Sequence, residues 1–147
     1  MKKKVTRSVR NLVLVLGDQL NLDSAAFDGF DPSLDAVWMA EVGEEATHVW
    51  SHKARIALFL SAMRHFRDAL RKKGFPVRYR TLDDPGNRAS LAGELGQCLS
   101  TTKPERLIMV NPGEYRVGEA IRREARRLGT EIEVRPDRHY LCSRQAF

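Results

Sequence analysis

The chain contains 147 residues, of which 42% are hydrophobic and 30% are charged, and its formal net charge is +6. This length and balance predict a single soluble globular domain, and the lack of any apolar run of roughly 18 residues argues against a membrane span. The two cysteines, Cys98 and Cys142, are too few for a disulfide framework or a four-ligand zinc site, so we expect a reducing, cytoplasmic setting.

Residues 1–10 (MKKKVTRSVR) form a basic N-terminal tail, and the domain is predicted to occupy 11–147. The apolar run after the tail is short and carries no small-residue cleavage site, so a signal peptide is not expected. Within the domain, apolar runs and helical periodicity predict alternating strands and helices. In chain order these are a strand at 11–16, a strand at 36–40, a helix at 46–73, a strand at 77–82, a helix at 88–99, a strand at 106–110, a helix that follows 111–113 and ends near 128, and a strand at 131–135.

Strands that alternate with helices through short loops predict a parallel sheet with helices on both faces, joined by right-handed crossovers. The strand at 11–16 is the most apolar, which is typical of a strand buried on both faces and places it at the centre. We therefore predict a three-layer α/β fold with a doubly wound, five-stranded parallel sheet in the order 3-2-1-4-5.

Open parallel sheets bind ligands outside the carboxyl ends of their strands. The residues that fall there are mostly carboxylates and amides: Gly17, Asp18 and Gln19 after the first strand, Glu41 and 43–45 after the second, Asp83 and Asp84 after the third, and 111–115, which includes Glu114, after the fourth. Neither GxGxxG nor GxxxxGK[ST] occurs, so a phosphate-bearing cofactor is disfavoured. Carboxylates and amides favour a neutral polyol or a heterocycle with N–H and C=O edges.

Structural roles compete with ligand binding at several of these positions. Gly17 suits a tight turn, and Asp18 could cap a helix. Carboxylates such as Glu45 are favourable at the start of a long helix, and Asp83 and Asp84 before a proline are typical of a turn. The residues alone leave these alternatives open.

Known catalytic constellations are not found in the sequence. A phosphotransfer site would need further carboxylates beside Asp18 and a lysine after the last strand, and neither is present. There is no GxSxG nucleophile elbow. His48 and His52 have the i, i+4 spacing of metal ligands, but no third ligand is within sequence reach, so a surface or packing role is favoured. We predict neither catalytic residues nor a metal site.

Four sequence blocks carry information beyond these patterns. They are GDQL at 17–20, AEVGEEA at 40–46, HKxxI followed by SAMRHF within 52–66, and PGEYR at 112–116. Together they resemble the N-terminal domain of the bacterial photolyase-related proteins, the iron–sulfur cryptochrome and six-four photolyase branch of the cryptochrome/photolyase family. The resemblance extends from about Asn11 to Phe147.

This resemblance implies a Rossmann-like antenna domain, in agreement with the fold predicted above. In the family, the domain holds a dimethyl ribityl lumazine, which harvests near-UV and blue light for a flavin in a separate helical domain. The resemblance implies lumazine contacts at Glu45 and in the loop Gly17-Asp18-Gln19, and Glu41 and Glu114 from the same edge complete the predicted site. The implied function is light harvesting in a DNA-repair or photoreceptor flavoprotein.

The second domain of the family is absent from this sequence. That domain binds FAD, a four-iron four-sulfur cluster and damaged DNA, so we expect DNA contact only through it and no repair by this chain alone. Cys98 and Cys142 do not match the cluster ligands. Tyr140, Leu141 and Phe147 would be exposed where the missing domain docks, which would favour a homodimer, and no membrane partner is expected.

One alternative from a different class stays open: an α/β interaction or nucleic-acid-binding module with a vestigial pocket. A salt-dependent contact with nucleic acid would then come from the basic tail and from Arg122, Arg123, Arg126 and Arg127. A small-molecule enzyme of unknown type is a weaker, third hypothesis.

Overall fold

A computed structural model describes residues 8–43, 53–88 and 90–138 of the chain. Strands and helices alternate through these ranges. In chain order they are β1 (Asn11–Leu14), a 3-10 turn (Ala25–Phe27), β2 (Ala36–Ala40), α1 (Lys53–Lys72), β3 (Val77–Arg80), α2 (Leu91–Thr102), β4 (Arg106–Val110), α3 (Tyr115–Arg127) and β5 (Glu131–Arg135). Among these described helices, none has the length and apolar character needed to cross a membrane.

The five strands form one parallel sheet in the order β3-β2-β1-β4-β5. β1 is central, because Leu12 pairs with Ala36 of β2 on one side and with Leu107 of β4 on the other. A strand in this position is covered on both faces, which explains its continuous apolar run. The fold class and the strand order predicted from the sequence are both confirmed.

Alternate residues of β1 point to opposite faces of the sheet and contribute to two separate cores. Leu12 and Leu14 pack with the apolar sides of α2 and α3 on one face. Val13 packs on the other face with the apolar residues of α1, which are Met63, Phe66 and Leu70. The three layers are therefore α1, the sheet, and the pair α2 and α3.

Two strands are shorter than the apolar pattern predicted. β1 ends at Leu14 and not at 16, and β3 ends at Arg80 and not at 82. Val15 and Leu16 are nevertheless buried. The apolar pattern thus continued past the end of β1 because the loop that follows the strand is also covered. The part of the long helix predicted at 46–52 lies outside the described residues.

α2 begins and ends three residues later than predicted, and its caps explain the difference. The Ser90 hydroxyl accepts a hydrogen bond from the Gly93 amide (3.0 Å), which fixes the first turn. Lys103 follows the helix in a left-handed conformation (φ 43°), and its amide donates to the Leu99 carbonyl. The predicted range of 88–99 is therefore replaced by Leu91–Thr102.

α1 packs on the sheet mainly through its C-terminal half, and Leu60, which is partly buried, is the last residue before that half to reach the same core. Its buried residues, Met63, Phe66 and Leu70, all lie in that half. In the N-terminal half, Leu58 is 71% exposed and Phe59 is 37% exposed. The N-terminal half therefore leaves a space between itself and the carboxyl end of the sheet.

A buried carboxylate joins the amino ends of β1 and β2. Asp35 is 4% exposed and lies directly before β2. It accepts two hydrogen bonds from the Arg10 guanidinium (2.8 and 3.0 Å) and one each from the backbone amides of Asn11 (3.1 Å) and Asp31 (2.9 Å). Burial by itself would raise the pKa of Asp35, but these hydrogen bonds outweigh it and hold the pKa below its ordinary range.

Replacing Asp35 with Asn should lower the free energy of unfolding at pH 7 by about 1–3 kcal/mol, because a neutral amide satisfies only some of the four partly buried donors around this buried position. The folded-state pKa is lowered, so this contribution is present above the pKa of the unfolded chain, about 3.9, and is lost as the pH falls through the folded value. Urea denaturation at pH 7 and at pH 3 measures both effects.

The control is Asp23→Asn, because Asp23 is exposed and its carboxylate makes no contact with the described residues. Its effect should stay below about 0.5 kcal/mol at both pH values. A loss for Asp35→Asn that is equally large at pH 3, or equal losses for the two variants, would contradict the assignment.

Candidate functional site

A cavity of about 420 Å³ opens at the carboxyl end of the sheet. Its walls come from the loop after β1, the end of β2, the N-terminal half of α1 and the first turns of α2 and α3. The cavity therefore lies at the edge where the sequence predicted a ligand site, and it uses the space that α1 leaves beside the sheet.

The structure brings together four of the six residues predicted for the site. Gly17, Asp18, Glu41 and Glu114 all line the cavity. Gln19 is not among the lining residues: its side-chain amide donates to the backbone carbonyls at the end of β4, those of Val110 and Asn111 (3.4 Å each). The sixth, Glu45, lies outside the described residues, as do Glu44, His48, His52, Tyr140, Leu141 and Phe147.

Gly17 is packed tightly against α1. A Cβ atom at this position would lie 2.7 Å from Cε1 of Phe59 and 3.1 Å from the Met63 sulfur. The Phe59 ring therefore rests directly on the loop backbone, which no residue with a side chain would allow without a shift. A close approach between loop and helix is thus the reason for glycine here.

Asp18 presents a carboxylate to the cavity. Its side chain makes no hydrogen bond or ion pair with any residue that the structure describes. The capping interpretation of Asp18 is wrong, because the next helical residues are those of the 3-10 turn, and Ser24 caps that turn by accepting from the Ala26 amide (3.2 Å). Asp18 is therefore available to a ligand.

Glu41 is in the opposite situation, because its carboxylate is fully engaged by the protein. It accepts hydrogen bonds from Arg64 (2.7 and 2.9 Å), from the Tyr79 hydroxyl (2.5 Å) and from the Leu82 amide (2.8 Å). Glu41 is only 1% exposed. Its contacts connect the end of β2 to α1 and to β3, so Glu41 holds the cavity wall in place.

The pKa values of this cluster follow from the same contacts. Burial would raise the pKa of Glu41, but the hydrogen bonds from Arg64, Tyr79 and the Leu82 amide outweigh it and lower the pKa. The pKa of Tyr79 is raised by burial and by its hydrogen bond to Glu41. The pKa of Arg64 is raised by its hydrogen bond to Glu41 and by the carboxylate charge. Glu41 is therefore ionised and the other two stay protonated at neutral pH.

Two further acidic residues of the predicted edge, Glu114 and Asp84, pair locally. Glu114 precedes α3 and forms an ion pair with Arg116 (2.6 Å) at the mouth of the cavity. Asp84 accepts from the Gly86 amide (2.8 Å) and pairs with Arg80 (3.0 Å), so the turn interpretation holds for it. The Gly86 amide and Arg80 together lower the pKa of Asp84.

The cavity walls are more apolar than the sequence indicated. Ile56, Phe59 and Met63 of α1 face Leu91 of α2 and Val117 of α3 across the cavity. None of these apolar residues was selected for the site from the sequence. The helical spacing of Phe59 from both Ile56 and Met63 was the available signal.

The site is suited to binding a ligand with an apolar body and a polar edge. Asp18 supplies an acceptor, and Arg55 and Arg116 supply donors, at otherwise apolar walls. Within the described ranges, no group of three or more metal-binding side chains is present. Cys98 lies away from this site, and burial raises the pKa of its thiol to about 11, so it is protonated and unreactive at neutral pH.

Comparison with known proteins identifies the family. Residues 13–147 match the family described as deoxyribodipyrimidine photo-lyase-related protein. The chain is 41% identical over 136 residues to a (6-4) photolyase of Agrobacterium fabrum, and the match covers 92% of this chain but 27% of that relative. The chain thus spans about a quarter of the relative's length, and the resemblance inferred from the four sequence blocks is confirmed. This chain belongs to the deoxyribodipyrimidine photo-lyase-related protein family.

Proposed function

We propose that the cavity binds a ribityl lumazine, and that this chain is the light-harvesting domain of a photolyase- or cryptochrome-like flavoprotein of DNA repair or photoreception. The observation that carries the proposal is the position of Asp18, a carboxylate with no partner among the described residues, in a mainly apolar cavity at the carboxyl edge of the sheet. Family membership supports the photolyase-like part of the assignment.

The cavity fits such a molecule in size and in chemistry. Its volume of about 420 Å³ falls in the range of about 300–1,000 Å³ that is typical of small-molecule sites. The exposed side of the Phe59 ring offers an apolar surface to a flat heterocycle. Asp18 can accept from ring N–H or ribityl hydroxyl groups, and Arg55 can donate to carbonyl oxygens.

In this proposal the protein binds and orients the lumazine and shields it from water, and the cavity makes or breaks no covalent bond. When bound, the lumazine supplies absorption of near-UV and blue light and transfer of the excitation energy to a flavin. Glu41 and Arg64 hold the wall against which it would lie, and the apolar residues of α1 and α3 keep water from it. FAD, a four-iron four-sulfur cluster and DNA repair are assigned to a second domain outside residues 1–147.

Titrating the chain with dimethyl ribityl lumazine should give a saturable change in absorption near roughly 400 nm, since the ligand moves from water into an apolar cavity. Asp18→Ala should weaken binding by about 1–3 kcal/mol, because a polar edge of the ligand then loses its acceptor. The matched control is Asp23→Ala, an exposed carboxylate outside the cavity. The proposal would be contradicted if the wild type did not bind the lumazine, or if the two variants bound it with equal affinity.

Gly17→Ala should lower lumazine affinity by about tenfold, because the added Cβ displaces the Phe59 ring, and overpacking of this kind costs about 1–3 kcal/mol. Gly43→Ala is the control, since a Cβ there meets no atom within 4 Å. Binding and thermal unfolding should both be measured. If the two alanine variants bind equally well, the contact of Phe59 with the loop does not shape the site.

Glu41→Gln should lower the free energy of unfolding by about 2–4 kcal/mol, because it removes a buried charge from four donors. Asp18→Ala should leave the free energy of unfolding nearly unchanged, because Asp18 is exposed and its carboxylate makes no hydrogen bond or ion pair with a described residue. Chemical denaturation of both variants without ligand tests this division. A stable Glu41→Gln variant that has lost binding would instead make Glu41 a direct ligand contact.

A further inference from the structure

The second half of α3 carries unpaired arginines on its solvent side. Arg123 and Arg126 are exposed and form no ion pair with any described residue. Within the described ranges, the one ion pair of Arg122 is with Glu119, at 3.4 Å, and 35% of its side chain stays exposed. We call Arg122, Arg123 and Arg126 the arginine face. Among the described residues, Arg123 and Arg126 have no carboxylate partner and Arg122 has one long contact with Glu119, in contrast to Arg127, which pairs closely with Glu124.

The arginine face borders a groove beside the last strand. Arg122 and Arg126 line this groove together with Thr130 and with the side chains of Ile132 and Val134 from β5. β5 is an edge strand of the sheet, and Val134 is 40% exposed. The groove therefore combines a positively charged wall with an apolar floor.

An exposed aromatic ring extends the same surface. Tyr115 is 72% exposed at the start of α3. It precedes Arg122 by seven residues, or nearly two helical turns, and so lies on the same side of the helix. None of Tyr115, Arg122, Arg123 and Arg126 lines the cavity, so this surface is separate from the proposed lumazine site.

We propose that Tyr115 and the arginine face bind single-stranded nucleic acid, with the arginines on the phosphates and the tyrosine stacked on an unpaired base. Arginine without a carboxylate partner binds phosphate well, because its guanidinium donates two parallel hydrogen bonds. Arg122 and Arg126 are about 6 Å apart along the helix axis, so both guanidinium groups can reach phosphates of the same bound strand.

The combination of groups selects this partner over an acidic protein. A basic groove that follows the backbone, together with an aromatic ring that accepts any base, is the general design of single-strand binding surfaces. An acidic peptide would use the arginines but would give the exposed ring at Tyr115 no planar partner. The proposal departs from the expectation that DNA contact belongs only to a second domain, and it does not depend on lumazine binding.

The test is fluorescence anisotropy with labelled single-stranded DNA, single-stranded RNA and duplex DNA of equal length, over a range of salt concentrations. The main variant is Arg122→Gln/Arg123→Gln/Arg126→Gln. The matched control is Arg71→Gln/Lys72→Gln/Lys73→Gln, which removes the same charge from exposed residues at the end of α1, on the other side of the sheet. The basic N-terminal tail is present in every variant and contributes equally.

Removing the arginine face should weaken single-strand binding at least tenfold and reduce the slope of log Kd against log salt by about 2, since three phosphate contacts are lost. The control triple variant should keep most of the affinity and slope. Tyr115→Ala should weaken single-strand binding about fivefold or more, leave the salt slope unchanged, and have little effect on duplex binding. Comparison of the DNA and RNA arms identifies which single strand is preferred.

Three results would overturn the proposal: no salt-sensitive binding by the wild type, equal losses for the two triple variants, or displacement of DNA by polyglutamate at equal charge concentration. Either of the first two results would mean that the positive charge of the protein forms no defined nucleic-acid site. Displacement by polyglutamate would instead assign the surface to an acidic protein. Thermal unfolding of each variant checks folding. Because these residues do not line the cavity, failure here leaves the lumazine titration unaffected, and the reverse also holds.

Discussion

The cavity depends on one buried charge, the carboxylate of Glu41. Its donors come from α1 (Arg64), from β3 (Tyr79) and from the backbone after β3 (Leu82). Four hydrogen bonds replace the hydration that the carboxylate loses on burial, so an ionised group is tolerated at the sheet edge. Arg64 directly follows Met63, the first fully buried residue of α1. The ion pair therefore determines where the helix attaches and, in consequence, where it leaves a space.

Groups that maintain the cavity and groups that are available to a ligand are different residues. Glu41 and Gln19 form their hydrogen bonds within the protein. Glu41 bonds to α1 and β3, and Gln19 bonds to the end of β4. Asp18 and Arg55 face the cavity without a side-chain partner among the described residues. Asp18 and Arg55 can therefore take new partners when a ligand binds, while the long-range hydrogen bonds of Glu41 and Gln19 keep the cavity walls in place.

The fold could be predicted from the sequence because its determinants are local. Apolar runs and helical spacing identify the elements, and the central position of β1 follows from its continuous apolar run. The location of the site followed from the general behaviour of parallel sheets. The partners of the polar side chains at this edge could not be predicted, because those of Glu41 are 23, 38 and 41 residues away in the sequence and those of Gln19 more than 90. The contact of Phe59 with Gly17 also depends on the packing of α1 and has no local signal beyond helical spacing.

The incomplete packing of α1 has a thermodynamic consequence. Its residues 53–62 contain no fully buried side chain, whereas Met63, Phe66 and Leu70 anchor the rest of the helix in the core. A molecule in the cavity would cover Ile56 and Phe59 and so act as a missing part of the core. Since such a molecule binds the folded chain only, it stabilises the fold by RT ln(1 + [L]/Kd). Occupancy of the cavity and protection of the first turns of α1 from hydrogen exchange are therefore two measures of the same equilibrium.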